Sequence, residues 1–352
     1  MFRVYSDYFY ENDNVKTQYE DAYKGIITKK ADSIMVKTRK NAKLMSLSKM
    51  INRRLKNIKN KCSDIQDLPS DINELVVLST KKIATLYTEF CKNRVFQQAI
   101  KNELGIIYGE RNGKQNVLEF SRFSKEIAKF FMSPDNDKLF QINTCFYCNK
   151  AYINAYEVEH DQKKQQFDID HFIAKIDCPL FTLSLYNFVP SCQICNSRIK
   201  QAGNYFADCD SEELEMLFPT SENYSYENVL RFRIVPNRGL YTENNKRFDY
   251  FSEMKDSFSI EFEKLDKEEG DLYEKEAYGF DIIKRYDYHK KEFLNYIDKI
   301  RKYPSSYFVS LAKIRGVNEA AALKEAIFDD SFRNNEKQIF LKIYNDITIP
   351  LK

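Results

Sequence analysis

Between Leu44 and Lys61 the apolar positions Leu47, Ile51, Leu55 and Ile58 recur at steps of three and four, with Lys and Arg on the remaining positions. That spacing predicts an amphipathic basic helix. Asp67-Leu68-Pro69-Ser70-Asp71 interrupts it, and Ser70 or Asp71 can cap a second helix running to about Phe90 with Leu75, Val76, Leu78, Ile83, Leu86 and Tyr87 on its apolar side. A turn at Gly109-Glu110-Arg111-Asn112-Gly113 closes this group. A third helix over Phe123–Met132 stops at Ser133-Pro134-Asp135, which reads as a linker. Met1 to about Asn143 is therefore expected to be mostly helical.

The periodicity then shortens. Tyr152, Tyr156 and Val158 alternate with Ile153 and Ala155, and the runs Ala151–His160 and Gln165–Asp170 flank the polar turn Asp161–Lys164, which predicts a β-hairpin. An apolar run from Leu180 to Val189 follows, and a helix begins at Asn196–Lys200. Two short strands are expected at Leu230–Val235 and Phe258–Phe262, then an acidic stretch from Asp266 to Glu276. Helices over Tyr273–Ile300, Ser306–Ile314, Glu319–Phe328 and Glu336–Ile347 complete the chain, separated by Tyr303-Pro304, Gly316 and Asp329-Asp330. The reading gives an α+β, mostly helical fold in three consecutive regions: a helical segment 1–140, a core 141–205 and a mainly helical segment 206–352.

Composition sharpens this picture. With 352 residues, 43% hydrophobic and 14% aromatic, the chain has material for sizeable cores and is not disordered. No apolar run approaches the ~20 residues that span a bilayer, and the start lacks the basic and apolar parts of a secretory signal; a cytoplasmic protein without membrane contact is expected. The formal net charge of +3 hides an asymmetry: residues 16–61 hold 14 Lys/Arg against 3 Asp/Glu, a net +11, which leaves −8 for the rest. Such a segment either faces phosphate or forms a solvated face.

Eight cysteines in a chain this long make a poor disulfide scaffold, and four of them pair as Cys145-Phe-Tyr-Cys148 and Cys192-Gln-Ile-Cys195. A two-residue gap lets both thiolates of each pair turn towards one ion, so the four predict a structural Zn²⁺ site. Cys62, Cys91, Cys178 and Cys209 are scattered and read as small hydrophobes or inert thiols. The 43 residues between Cys148 and Cys192 exceed a small zinc ribbon and carry Asp168-Ile169-Asp170-His171. Cleaving a phosphodiester needs a base for water and a hard cation at the phosphate. Imidazole suits the first role, and Asp and Asn oxygens suit Mg²⁺ or Mn²⁺.

Asp168-Ile169-Asp170-His171, Asn187 and Cys192-x-x-Cys195-Asn196 together resemble the HNH family of ββα-metal endonucleases, with a nine-residue step from Asn187 to Asn196. The resemblance implies a ββα-metal core in which Asp170 and Asn196 hold the catalytic divalent ion, His171 is the general base and Asn187 braces the loop that carries it. It also implies products with 5′-phosphate and 3′-hydroxyl ends. A Pro often found after the histidine is Ala174 here. Cys145-Phe-Tyr-Cys148-Asn149, Leu183-Ser-Leu-Tyr-Asn187, Pro190-Ser191-Cys192, Tyr288-His289 and Ile327-Phe328 look like the HNH proteins of bacterial anti-phage systems, Septu-type and retron-associated. That likeness implies an ABC- or SMC-like ATPase partner.

Lys175, Arg198 and Lys200 flank the motif and either hold phosphates or are ordinary surface charge. Asp168 shares a strand face with Asp170 and either assists it or lies on the surface. His289 reads as structural and His160 as exposed. The expected function is a metal-dependent endonuclease acting on nucleic acid, double-stranded DNA first. The alternative is a catalytically silent, zinc-stabilised adaptor that binds nucleic acid or an ATPase.

Overall fold

In the computed structural model, which describes residues 3–37, 44–105, 121–133, 139, 144–153, 155–158, 162–200, 208–237, 256–303, 305–316 and 340–348, a short helix α1 (Asp7–Tyr10) precedes the 21-residue α2 (Asp13–Ser33). The side chain of Asn12 caps α2 by accepting from Val15 N at 3.2 Å, and Tyr19, Tyr23, Ile27 and Ala31 form a buried stripe at steps of four. A small antiparallel pair, β1 (Met35–Lys37) with β2 (Leu44–Ser46), leads into α3 (Leu47–Lys61). As the spacing predicts, α3 buries Leu47, Ile51, Leu55 and Ile58.

The second expected helix is two. Asp71 caps α4 (Ile72–Val76) through the amides of Asn73 and Glu74, and Ser79 caps α5 (Thr80–Lys92) through Lys82 N. A hydroxyl at Ser79 that accepts from one of the first amides of α5 favours a fresh start there over continuation from α4. Asn93 caps α6 (Arg94–Glu103), and α7 (Ser121–Phe131) matches the third expected helix.

The hairpin is displaced from its expected register. β3 (Ala155–Val158) pairs with β4 (Gln162–Gln165), so Gln162–Lys164 are strand and not turn. The following strand, β5 (Asp168–His171), pairs instead with the distant β6 (Phe188–Ser191), with Asp168 opposite Ser191 and His171 opposite Phe188. All four residues of β6 are buried, and β5 opposite is itself buried at Asp170 and His171. A π-helical turn, Ile194–Lys200, comes next, then α8 (Ser211–Leu217), closed by a capping box between Asp210 and Glu213.

Backbone packing divides the chain into two compact units, one of Arg3–Gln141 and Ile153–Tyr224, the other of Met1–Phe2, Ile142–Tyr152 and Ser225–Lys352. Both are discontinuous in sequence, whereas the three regions read along the chain are consecutive. In the second unit, α9 (Tyr226–Val229) enters β7 (Leu230–Pro236), which pairs along its length with β8 (Phe258–Lys264). The helix expected over 273–300 is three: α10 (Lys267–Gly279), α11 (Ile282–Asp287) and α12 (Lys290–Lys302). Asp281 sits at φ +51°, a left-handed residue that α10 cannot pass through. α13 (Ser305–Arg315) ends at Gly316, φ +66°, and α14 (Leu341–Thr348) lies on β7, where Asp346 accepts from Phe232 N at 2.8 Å.

The chain is mostly helical with small two-stranded sheets. Among the described residues no helix is long and apolar enough to cross a membrane. The Gly109–Gly113 turn, Pro134-Asp135, His160, the expected helix over 319–328 with Ile327-Phe328, and Arg39, Lys40 and Lys43 of the basic segment lie outside the described residues.

The basic face of α3 is partly neutralised from within. Glu103 of α6, its side chain 9% exposed, accepts from Arg54 at 2.7 Å, Lys61 at 2.8 Å and Asn57 at 3.2 Å. Burial alone would raise this carboxyl, but the hydrogen bonds from Lys61, Arg54 and Asn57 outweigh it and hold it down at about 2, against 4.5. A depressed carboxylate contributes stability above its unfolded value and loses it as pH falls through the folded one. Glu103→Gln is expected to lower the urea-unfolding stability at pH 7 by about 2 kcal/mol. The gap to wild type should narrow as pH falls from 4.5 towards 2; equal stabilities at pH 7 would refute the pairing.

Candidate functional site

Two short segments hold the cysteine pairs in the same local shape. In the first, Asn149 N donates to Cys145 O at 2.7 Å and Cys145 N to Ala151 O at 2.8 Å; in the second, Asn196 N donates to Cys192 O at 3.0 Å. The i to i+4 bond in each curls the segment so that both sulfurs project to one side. Asn149 sits at φ +46°, a conformation that asparagine tolerates, and its amide donates to Thr144 Oγ1 at 2.6 Å. Around the first pair Tyr147 stacks on Phe280 at 4.4 Å, and Tyr286 donates its hydroxyl to Cys148 O at 2.7 Å.

Cys145, Cys148, Cys192 and Cys195 are all buried, and their sulfurs all lie within 4.8 Å of one another. A tetrahedral Zn²⁺ with bonds of about 2.3 Å requires sulfurs about 3.8 Å apart, so the four fit a metal such as zinc. Of the scattered cysteines, Cys62, Cys178 and Cys209 are buried and Cys91 is exposed; none joins the cluster. Burial pushes the Cys178 thiol well above its usual range.

The β5–β6 pair carries the second part of the site. After β5 the chain loops through Phe172–Tyr186 and returns at Asn187, whose side chain is completely buried. Its Oδ1 accepts from Ile173 N at 2.8 Å, and its Nδ2 donates to Ile173 O and Phe181 O, both at 3.1 Å. The backbone adds Phe172 N to Asn187 O at 2.8 Å. One amide thus ties both sides of the loop after His171. The loop is also held from the helices of its own unit. Tyr23 donates to Leu183 O at 2.9 Å, Ser184 to Leu75 O at 2.8 Å and Tyr186 to Glu20 at 2.5 Å, while Thr220 donates to Tyr186 O.

His171 is 8% exposed, with its ring edge-on to Phe188 at 5.1 Å. Nε2 lies 3.0 Å from Thr182 O. A carbonyl only accepts, so Nε2 carries the proton and a neutral ring has its lone pair on Nδ1. Burial drives the imidazole down to about 3; the Lys175 and Lys200 cations act in the same direction and the Thr182 carbonyl opposes them. The ring is neutral at physiological pH. Thr182 has no signature in the sequence, because the group it supplies is a backbone carbonyl.

Asp168 and Asp170, two residues apart on β5, meet Asn196 and Lys200, four apart on the π-helical turn. Asn196 Nδ2 donates to Asp168 Oδ2 at 3.1 Å, and Lys200 Nζ donates to Asp170 Oδ2 at 2.5 Å. Two residues of strand span about 6.7 Å and four of helix about 6 Å, so the two pairs form side by side. Asp170 and Asn196, expected as two ligands of one divalent ion, here each meet a different side chain. Lys200 is 4% exposed and also donates to His171 O at 2.6 Å and Phe172 O at 3.0 Å. It is not surface charge, and its ammonium is not offered to a phosphate.

Lys175 and Arg198 are exposed beside the site, Lys175 within the turn that Asp177 N closes onto Ala174 O. His289 bonds Glu292 through Nδ1 at 2.7 Å and packs on Phe340 in the other unit.

The Cys₄ set fits its metal, but the set assigned to a catalytic Mg²⁺ or Mn²⁺ does not fit as arranged. Asp170 already has a cation. An ammonium and a divalent ion about 4 Å apart repel by roughly 8 kcal/mol at an effective dielectric of about 20.

Native mass spectrometry should find one zinc per chain, and Cys145→Ser or Cys195→Ser should abolish it; full zinc content in either variant would refute the cluster. Asn187→Ala leaves Ile173 N, Ile173 O and Phe181 O without their partner and should cost about 2–4 kcal/mol in urea unfolding, whereas Asn149→Gly should cost less. No family model matches the chain, and no curated protein or solved structure matches it.

Proposed function

We propose that the chain is an endonuclease of the HNH type that hydrolyses phosphodiester bonds in nucleic acid, double-stranded DNA first. The observation that carries the reading is His171. It is a buried, neutral imidazole whose Nε2 is anchored on Thr182 O, which points the protonated nitrogen away and leaves Nδ1 as the basic one. Asn187 locks the loop around it, and the order β5, β6, π-helical turn is compatible with the strand-strand-helix order that the resemblance implies.

In this reading His171 Nδ1 takes a proton from the attacking water. Lys175 and Arg198, both exposed, meet the phosphates of the strand, and the cysteine cluster with zinc holds the second segment in place. The family resemblance adds a divalent ion, Mg²⁺ or Mn²⁺, at Asp170 and Asn196, which would stabilise the leaving oxygen. With Asp170 held by Lys200 as here, no step is assigned to that ion. By the same resemblance the protein acts in the bacterial cytoplasm as the effector of an anti-phage system beside an ABC- or SMC-like ATPase.

The alternative is a silent adaptor, and the exposed part of the basic helix favours it. Lys49, Arg53 and Lys56 remain on the outer face of α3 after Arg54 and Lys61 are taken by Glu103. If this face meets DNA, changing the three to Gln should flatten the salt dependence of binding by a slope of about 2–3.

A plasmid-nicking assay in Mg²⁺ or Mn²⁺, with and without an added ABC- or SMC-like ATPase, decides between the two. His171→Ala should lower nicking at least a hundredfold while keeping the fold and the zinc content. Nicking by His171→Ala at the wild-type rate rules out the base, and binding with no cleavage under any metal or partner selects the adaptor.

A further inference from the structure

The ammonium of Lys200 is surrounded as a bound ion would be. A primary ammonium has three N–H donors, and three oxygens receive them: Asp170 Oδ2 at 2.5 Å, His171 O at 2.6 Å and Phe172 O at 3.0 Å. The side chains of Lys200 and Asp170 are 5% and 8% exposed. A charge so far from water needs a counter-charge and full hydrogen bonding, and Lys200 has both. The ring of Phe172 lies 5.7 Å from the ammonium and covers a further side. Two of the three acceptors are carbonyls of the strand end that carries His171, so the lysine binds the backbone on which the base is mounted as well as the carboxylate before it.

This coordination identifies a role that neither a surface cation nor a phosphate ligand would have. An ammonium whose donors are all turned inward cannot reach a substrate oxygen. A divalent ion at Asp170 would have to displace it, because the two cations would share one carboxylate.

We infer that Lys200 is the resident cation of Asp170: it occupies the position at this carboxylate that the proposed reaction type would otherwise give to Mg²⁺ or Mn²⁺, and it positions the strand end beneath His171. The inference builds on the endonuclease reading only in giving Asp170 its importance. The occupancy itself rests on the three contacts.

Mn²⁺ binding to the zinc-loaded full chain, followed by the electron paramagnetic resonance signal of free Mn²⁺, tests it without any nuclease readout. Asp170→Asn should leave the wild-type Mn²⁺ affinity within twofold, because Asp170 is not a Mn²⁺ ligand while Lys200 is in place. Lys200→Met should open the carboxylate and tighten Mn²⁺ binding at least tenfold, and Lys200→Met combined with Asp170→Asn should remove that gain. A purely structural lysine would alter melting temperature and leave Mn²⁺ affinity where it was. Should Lys200→Met fail to fold, Lys200→Gln, which keeps a donor for the carbonyls, is read in the same way. A tenfold loss of Mn²⁺ affinity in Asp170→Asn, or no gain in either neutral Lys200 variant, overturns the proposal. These outcomes are independent of whether His171→Ala nicks plasmid, so the two readings can fail separately.

Discussion

A buried cation must be surrounded by oxygen, and Lys200 meets that condition by drawing β5, the loop after it and the π-helical turn onto one ammonium. Removing either partner of such a pair strands a charge in a place water does not reach, which costs several kcal/mol, whereas the intact pair is close to neutral overall. Its effect is therefore to specify geometry. With Lys200 on Asp170, Asn196 falls on Asp168 one rung away, and His171, on the other side of the strand, is turned into the pocket between Thr182 O and Phe188.

The two metal-type segments show how one local solution serves different surroundings. Each has the form Cys-x-x-Cys-Asn and closes with a bond from the asparagine amide to the first cysteine carbonyl. After the first pair, the asparagine side chain is buried on Thr144, and its carbonyl accepts from Phe340 N at 2.7 Å. After the second, the side chain crosses to β5 and meets a carboxylate. The same residue at the same offset is a packing element in one place and part of the candidate site in the other, because its neighbours differ.

Charge along the chain has the same dependence on context. The excess of Lys and Arg over residues 16–61 looks like one surface in sequence, but Lys24 bonds Asp21, Lys30 bonds Glu126, and Arg54 and Lys61 converge on Glu103. Part of the excess is consumed in packing α2 and α3 on their neighbours. Among the described residues, α3 keeps an exposed basic face centred on Lys49, Arg53 and Lys56.

The sequence by itself determined what depends on near neighbours. The stripe Leu47, Ile51, Leu55, Ile58 made α3, Asp71 carried a cap, β7 and β8 lie where two short strands are expected, and the spacing of Cys145, Cys148, Cys192 and Cys195 declared a metal cluster, since ligand geometry survives translation into sequence offsets. Only the tertiary structure decided which strand β5 would join, that Lys200 would meet Asp170 and Asn196 would meet Asp168, and that a backbone carbonyl at Thr182 would fix the tautomer of His171. Those choices bring together residues 11 to 30 positions apart through burial and charge neutralisation. Neither force leaves a period in the sequence, because each is settled by what else is buried at the same point.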